Sequence, residues 1–190
     1  MEALFVTSNQ NKAREAAEIL GVELHGIALD LPELQSLDFA RVAVAKAAAA
    51  REALDNPDSP ILVEDSGLVF EAWNGLPGAL TKWFLGSVGN EGLLKMLSAE
   101  SDRSARAVCA VAVAAADGSV RVFVGEVEGE IPSEPWGEGG FGWDPIFVPQ
   151  GHTETYAELG TRKHEDSHRT RALHAAREAL LGGSGLPPAG

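Results

Sequence analysis

The chain has 190 residues, of which 45% are hydrophobic and 23% charged, a composition typical of one large globular domain. Its net charge of −13, from 15 basic and 28 acidic residues, argues against a protein that binds a nucleic-acid polymer through a basic face; a nucleotide held by a few local cations is still compatible. Because there is one cysteine, no evident secretory signal and no apolar run of about 18 residues, we expect no disulfide framework, no membrane span and a cytoplasmic location.

The N-terminal segment predicts a strand over residues 4–7, a polar turn and a helix over residues 12–20. Ser8 or Asn9 can cap this helix. Such an order presents backbone N–H groups and the positive end of a helix dipole to an anion, and Lys12 adds a charge there. An ordinary strand-to-helix turn is the alternative.

A second strand is predicted over residues 22–29, followed by a loop that contains Glu33. Asp38 can then cap a long, alanine-rich helix over residues 39–54. Lys46 lies among these alanines. It either extends along the surface to reach water or points toward the acidic stretch that follows.

That acidic stretch lies in residues 61–67, where three apolar residues precede Glu64, Asp65 and Ser66. We expect the two acids at the C-terminal end of a short buried strand, the place where α/β sheets bind ligands. Repulsion between the two carboxylates must be relieved by water, a cation or a shared proton. A solvated strand end with an acidic turn is the alternative. After Gly67, residues 68–70 either continue as strand or bend.

The middle of the chain predicts a tight loop over residues 74–78 and a short helix capped by Asn90. Two strands are then expected over residues 106–115 and 119–127. Asp117-Gly118 between them is a strong hairpin signal.

A glycine-rich segment, residues 137–142, matches the pattern G-x-G-x-x-G. That fingerprint must open a helix after a strand, whereas Pro145 follows closely here, so we reject a dinucleotide site. We predict instead a flexible loop that delivers Phe141 and Trp143 to a ligand, with simple packing of both rings in the core as the alternative. Residues 146–148 predict a further strand.

The last helix is predicted to begin after its cap, Ser167, and to continue to a flexible tail, residues 182–190. His168, Arg169 and Arg171 occupy its first turn, although cations there oppose the helix dipole. We expect their partner to be an anionic or carbonyl-bearing ligand. Ion pairs with the two acids before Ser167 are the alternative.

Charged residues of both signs complete the pattern. The acids are Glu33, Glu64 and Asp65, and the cations are Lys12, Lys82 and the group Lys163, His168 and Arg169. Acids without histidine or cysteine partners suit Mg²⁺, Mg²⁺ with lysines suits a polyphosphate, and aromatic rings suit a stacked base. The pattern G-x-x-x-x-G-K-[ST] is absent, and no serine or cysteine has an evident base beside it. Direct attack by water is therefore favoured over a covalent intermediate.

Seven short motifs, taken in order, resemble those of the inosine triphosphate pyrophosphatase family. They are Thr7-Ser8-Asn9-Gln10-Asn11-Lys12, Leu31-Pro32-Glu33, Val63-Glu64-Asp65-Ser66-Gly67, Gly75-Leu76-Pro77-Gly78, Lys82-Trp83-Phe84, Phe141-Gly142-Trp143-Asp144-Pro145 and Ser167-His168-Arg169. Each motif is short, but the ordered set spans nearly the whole chain and is highly specific. Ser8 stands where the family usually has glycine, so a side chain occupies a tight turn.

The resemblance implies one α/β domain over residues 1–181, elongated and two-lobed on a long mixed central sheet with flanking helices. It also implies an active site in the cleft between the lobes, and a homodimer. The implied reaction converts inosine, deoxyinosine and xanthosine triphosphates (ITP, dITP and XTP) to the monophosphates and pyrophosphate. A nucleotide-binding regulator without turnover and a phosphatase that releases the terminal phosphate are the alternatives.

Residue roles also follow from the resemblance. Glu33 and Asp65 would bind Mg²⁺, which Mn²⁺ can replace, and Asp65 would activate water with support from Glu64 and Lys12. The phosphates and the rest of the nucleotide would be held by Thr7, Ser8, Asn9, Gln10, Asn11, Lys12, Lys46, Ser66, Lys82 and Lys163. Phe141, Gly142, Trp143 and Asp144 would form the base pocket, and His168 with Arg169 would contact the purine edge.

Overall fold

The computed structural model describes residues 3–21 and 24–180. Its strands are β1 (Leu4–Val6), β2 (His25–Ile27), β3 (Ile61–Phe70), β4 (Ser104–Ala114), β5 (Val120–Glu130) and β6 (Val148–Pro149). Its helices are α1 (Gln10–Leu20), α2 (Phe39–Ala53), α3 (Thr81–Met96), α4 (Tyr156–Leu159) and α5 (His168–Leu180). The predicted tail, residues 182–190, lies outside the described residues.

The strands form one mixed sheet in the order β2-β1-β3-β4-β5-β6. β1 runs parallel to β2 and β3, whereas β3, β4, β5 and β6 are antiparallel neighbours. This mixed sheet with helices packed against it confirms the predicted α/β class. None of the helices in the described residues is long and apolar enough to cross a membrane.

The prediction that a strand ends before the two acids is wrong. β3 continues through Glu64 and Asp65 to Phe70, because β4 supplies antiparallel partners along its whole length. β1, by contrast, pairs only with the first two residues of β3. The acids therefore lie in the middle of a strand, beyond the point where its parallel neighbour has ended, and that side of β3 is left open for a cleft.

Side chains of β3 and β4 alternate between two apolar layers. Leu62 packs with α1 and α5, whereas Ile61 and Val63 pack with the alanines of α2. The same alternation sends Glu64 toward α1 and α5 and Asp65 toward α2. The two neighbouring carboxylates thus point to opposite faces of the sheet, which relieves the repulsion expected from their adjacency in sequence.

Three helix starts are capped as predicted. The Asn9 side chain accepts hydrogen bonds from the backbone N–H groups of Asn11 and Lys12, at 3.0 and 3.3 Å. Asp38 caps α2 in the same way, and the Ser167 hydroxyl accepts from the Thr170 N–H at 3.1 Å at the start of α5. The loops that precede α1 and α5 both border the site described below.

Two other predictions need correction. α3 consists of two helical segments that meet at a kink, because Gly89 has the non-helical angles φ 67° and ψ −175°. The segment after Gly89 is the helix predicted from Asn90, but Asn90 donates a side-chain hydrogen bond to the Gly142 carbonyl instead of capping it. Residues 146–148 are not one strand, because Asp144–Ile146 forms a 3-10 turn before the short β6. The Asp117-Gly118 hairpin between β4 and β5 is confirmed.

Candidate active site

A cavity of about 260 Å³ lies where the starts of α1, α3 and α5 meet the open side of β3 and the glycine-rich loop. Most of the predicted site residues line it: Thr7, Ser8, Asn9, Lys12, Glu33, Lys46, Asp65, Ser66, Lys82, Phe141, Gly142, Trp143, Asp144, His168 and Arg169. A second hollow of about 400 Å³ continues from it past Glu33, Lys46, Lys82 and the exposed ring of Trp83. Together they form one cleft.

Four predicted residues do not line this cavity: Gln10, Asn11, Glu64 and Lys163. Asn11 accepts a hydrogen bond from Arg14 along the helix surface, and Gln10 is exposed. Glu64 and Lys163 are buried behind the wall of the cavity and bind residues that do line it. They act on the site through those neighbours.

The turn between β1 and α1 forms one end of the cleft. Thr7 is buried and its hydroxyl accepts a hydrogen bond from the Asn9 N–H at 3.1 Å, which closes the turn. Ser8 is exposed to the cleft and has no positive φ, so serine replaces the family's usual glycine here without backbone strain. The turn thus adds a hydroxyl group beside Lys12.

Asp65 has a carboxylate oxygen, Oδ2, that is buried without a hydrogen-bond partner among the described residues. Burial raises the pKa of Asp65 to about 6, against the opposing charges of Lys12 and Lys46. A buried carboxylate oxygen without a partner is the kind of atom that a cation or a water molecule completes.

Glu64 is fully paired instead. Its carboxylate accepts hydrogen bonds from Arg169 Nε at 3.0 Å and lies 3.0 Å from Lys12 Nζ. Burial alone would raise the pKa of Glu64, but the charges of Arg169 and Lys12 outweigh it and hold the pKa well below its usual range. Glu64 therefore stays ionised and links Lys12 on α1 to Arg169 at the start of α5.

Glu15 is a buried acid next to the site that the sequence reasoning missed. It is buried on α1, where it pairs with Arg169 and lies 2.7 Å from Lys163 Nζ. Burial acts to raise the pKa of Glu15, but the charges of Arg169 and Lys163 overcome it and lower the pKa. One signal was available: Glu15 falls in the same helical stripe as Ile19 and Leu20, which is unusual for an unpaired acid.

Arg169 is held by this network. Nε and Nη2 donate to Glu64, Nη1 donates to Glu15, and Nη2 also reaches Ser66 Oγ at 3.4 Å. Most of its N–H groups are thus committed to protein carboxylates and are not free to contact a base. Arg171, the other arginine of that turn, pairs with Asp166 at 2.7 Å, as the alternative prediction had it.

Aromatic rings form the other end of the cavity. The Phe141 ring lies 5.1 Å from Lys163 Nζ and 5.6 Å from the Arg169 guanidinium carbon. Trp143 packs 5.1 Å from the His168 ring. The loop that carries these rings is fixed by Asp144, whose Oδ2 accepts from the Phe141 N–H at 2.9 Å and from Lys163 Nζ at 2.7 Å.

His168 is the least satisfied polar group at this end. Both ring nitrogens are buried without a hydrogen-bond partner among the described residues, and the ring stacks on Tyr156 at 5.7 Å. Burial, together with the nearby charge of Arg169, lowers the pKa of His168 well below its usual value. The ring is therefore neutral at pH 7 and offers one N–H donor and one acceptor to a ligand.

The donor set can be compared with what Mg²⁺ requires. No group of three or more acidic, histidine or cysteine side chains converges within the part of the chain that the structure describes. Asp65 and Glu33 line the same cavity, and Glu33 forms an ion pair with Lys82 Nζ at 3.1 Å. Because Mg²⁺ is usually bound by one or two carboxylates together with substrate phosphates and water, these two residues fit such an ion.

The fold and the cleft define an α/β protein whose cleft has lysines and carboxylates at one end. At its other end are aromatic residues and His168, whose ring nitrogens have no hydrogen-bond partner among the described residues. The model of the Ham1 family matches residues 3–179. The chain belongs to the Ham1 family.

Relatives of this chain resemble it over nearly its full length. It is 43% identical to a dITP/XTP pyrophosphatase of Methanopyrus kandleri, covering 94% of this chain and 95% of the relative. It is 46% identical to an inosine triphosphate pyrophosphatase of Yarrowia lipolytica, and the match covers 95% of this chain and 96% of the relative. Among solved structures, the Ham1 protein of Staphylococcus aureus is similar with a TM-score of 0.79 at 32% identity, covering 95% of this chain and 99% of that one.

Proposed function

We propose that this protein hydrolyses ITP, dITP and XTP to the nucleoside monophosphates and pyrophosphate in a Mg²⁺-dependent reaction. The observation that carries the proposal is one cleft with Asp65 at its charged end and a neutral His168 at its aromatic end. Within residues 3–21 and 24–180, Asp65 Oδ2 and both His168 ring nitrogens are buried without a hydrogen-bond partner. The names of the relatives from Methanopyrus kandleri and Yarrowia lipolytica support the same substrates.

At the charged end, Asp65 and Glu33 would hold Mg²⁺, which Mn²⁺ can replace. The ion would neutralise phosphate charge and make a bound water more acidic. Asp65 would also accept the proton of the attacking water, because its buried Oδ2 atom has no hydrogen-bond partner among the described residues. Glu64 stays ionised and keeps Lys12 at the cleft wall.

The lysines supply the charge that a triphosphate needs. Lys12, Lys46 and Lys82 border the cleft from three different elements. Lys82 pairs with Glu33 and Lys12 with Glu64, whereas Lys46 donates a hydrogen bond to the Glu64 backbone carbonyl at 3.4 Å. We infer that substrate phosphates take over these lysines, which frees Glu33 for the metal.

At the aromatic end, the base would stack on Phe141 while His168 donates its N–H to the oxygen at purine position 6. Adenine has an amino group there, which cannot pair with the His168 tautomer that donates at this position. A site built to pair with an oxygen can discriminate by about 10²- to 10⁵-fold against a substrate that cannot pair. Arg169 would act mainly by fixing Glu64 and Glu15 around the pocket.

We further propose a homodimer and a cytoplasmic location. The homodimer follows from the family resemblance, and sedimentation analysis of the purified protein tests it: a monomeric mass would contradict it. The cytoplasmic location suits nucleoside triphosphate substrates and a free, buried Cys109. Cell fractionation with an antibody against the protein tests that part.

A substrate panel tests the function. Purified protein is incubated with ITP, dITP, XTP, ATP and GTP, with Mg²⁺ or with a chelator, and pyrophosphate and phosphate are measured separately. We expect pyrophosphate from the first three substrates only, and only with metal. Release of single phosphate would favour a phosphatase acting on the terminal group, and tight binding without any product would favour a regulator.

A further inference from the structure

The glycine-rich loop that carries Phe141 is linked to α3 by one side chain. Asn90 Nδ2 donates a hydrogen bond to the Gly142 carbonyl oxygen at 2.9 Å. Leu85, also on α3, packs near the same glycine, since a Cβ placed on Gly142 would lie 3.8 Å from Leu85 Cδ1. On its other side the loop is held by Asp144 through the Phe141 N–H.

The kink in α3 is what places Asn90 there. Gly89 has φ 67° and ψ −175° inside the helix, a conformation open to glycine and strained for other residues. Gly92 supplies the space, because a Cβ there would lie 2.5 Å from Val88 Cβ across the kink. The two glycines therefore let the helix bend and restart with Asn90 next to the loop.

The orientation of the Asn90 amide follows from its partner. Since the Gly142 carbonyl can only accept, the amide nitrogen must face it, which leaves Asn90 Oδ1 buried without a partner among the described residues. A buried acceptor without a partner is unfavourable. The hydrogen bond from Asn90 to the Gly142 carbonyl is thus made at the cost of an Oδ1 atom that is unpaired within the described part of the chain.

We propose that Asn90 is a positioning residue for the purine base: its hydrogen bond to Gly142 fixes the loop that presents Phe141. The proposal rests on the proposed function, because it assigns Asn90 to the base end of that site. A loop rich in glycine has many accessible conformations, so one tether on the α3 side selects the conformation in which the ring faces the cavity. Among the described residues, Asn90 is not one of those that line the charged end of the cleft.

The test compares Asn90→Asp, which keeps the shape and removes the donor, with Asn90→Gln, which keeps the amide donor. For Asn90→Asp we expect the KM for ITP to rise by about three- to tenfold, the effect of one hydrogen bond, with kcat nearly unchanged. The inhibition constant of tripolyphosphate, which has no base, should not change. Asn90→Gln should recover part of the loss. The control Glu91→Gln, an exposed neighbour on the same helix, should match the wild-type protein.

Two results would overturn this role. One is an unchanged KM in Asn90→Asp. The other is an equal weakening of tripolyphosphate, which would mean a general disturbance of the site. If the wild-type protein does not hydrolyse ITP, the proposed function is wrong, whatever the role of Asn90.

The role of Asn90 is then tested by calorimetric binding of inosine monophosphate, which Asn90→Asp should weaken while pyrophosphate binding stays the same.

Discussion

At the scale of single residues, Asp65 has the environment most suited to catalysis. We predict that Asp65→Asn lowers kcat by about 10²-fold or more, the usual effect of removing an essential acid–base group, while the protein stays folded. Circular dichroism checks the fold, and a pyrophosphate release assay with saturating Mg²⁺ measures the rate. Retention of more than about a tenth of the activity would remove Asp65 from the proton-transfer step.

The raised pKa of Asp65 also predicts a pH dependence of metal binding. The pKa of about 6 in the folded protein exceeds the ordinary value of 3.8, so between these values the metal-free folded state binds more protons than the unfolded state. The stability that protonated Asp65 contributes to the metal-free protein is therefore present at low pH and is lost as the pH rises toward 6. The ionised form binds cations, so Mg²⁺ affinity should fall as the pH drops below about 6, by about tenfold per unit.

Calorimetric titrations with Mg²⁺ at a series of pH values measure this effect. Asp65→Asn is the matched variant, since it has no proton to lose at this position. An affinity that is constant between pH 5 and 7 in the wild-type protein would contradict a role of Asp65 as the metal-binding carboxylate.

His168 offers the clearest test of base selection. His168→Phe keeps a ring between Trp143 and Tyr156 but removes both nitrogens. We expect kcat/KM for ITP to fall by about 10²-fold and kcat/KM for ATP to change little, which narrows their ratio. Steady-state kinetics on both substrates measure it. If the ratio of kcat/KM for ITP to that for ATP does not change, His168 does not recognise purine position 6, and backbone groups of the loop that carries Phe141 would have to do so.

At the scale of elements, the site depends on how closely α5 approaches β5. A Cβ on Gly125 would lie 2.1 Å from the His168 carbonyl oxygen and 2.5 Å from the Ala172 nitrogen, so glycine is required there. We predict that Gly125→Ala displaces the start of α5 and with it His168 and Arg169. Both activity and the melting temperature should fall.

The control for this variant is Gly86→Ala in α3, where a Cβ meets no atom within 4 Å. Alanine in a helix is favoured over glycine by about 0.5–1 kcal/mol, so this variant should be as stable as the wild-type protein or more so. Thermal unfolding of the two variants gives the comparison. Equal melting temperatures for Gly125→Ala and the wild-type protein would show that α5 can adapt without loss.

Elements with local signals could be predicted from the sequence. The caps Asn9, Asp38 and Ser167 are confirmed. They were predictable because a cap and its N–H partners lie within three residues of each other. The end of β3 could not be predicted, because its length is set by pairing with β4, about 45 residues further along the chain.

Long-range pairing explains what was missed in the site. Glu15 and Arg169 are 154 residues apart, and nothing near either of them in sequence indicates that they meet. The helical segment of α3 that precedes Gly89 was likewise missed, since only the segment from Asn90 onward was predicted. The types of residues in the site were predictable; the contacts among their charges required the folded sheet.

At the scale of the whole molecule, one cleft brings together residues from both ends of the chain. The turn at Thr7 and the start of α5 at His168 line the same cavity, with β3 between them as its floor. The chain carries a net charge of −13, yet the cavity is lined by three lysines and one arginine. Such an arrangement suits a small polyanion that arrives with a divalent cation.

The most direct test of this account is ³¹P nuclear magnetic resonance of ITP incubated with the protein and Mg²⁺. We predict that the signals of inosine monophosphate and pyrophosphate grow together in equal amounts, and that neither forms with Asp65→Asn. Growth of inosine diphosphate and phosphate, or ITP that stays intact beside the folded wild-type protein, would contradict the account.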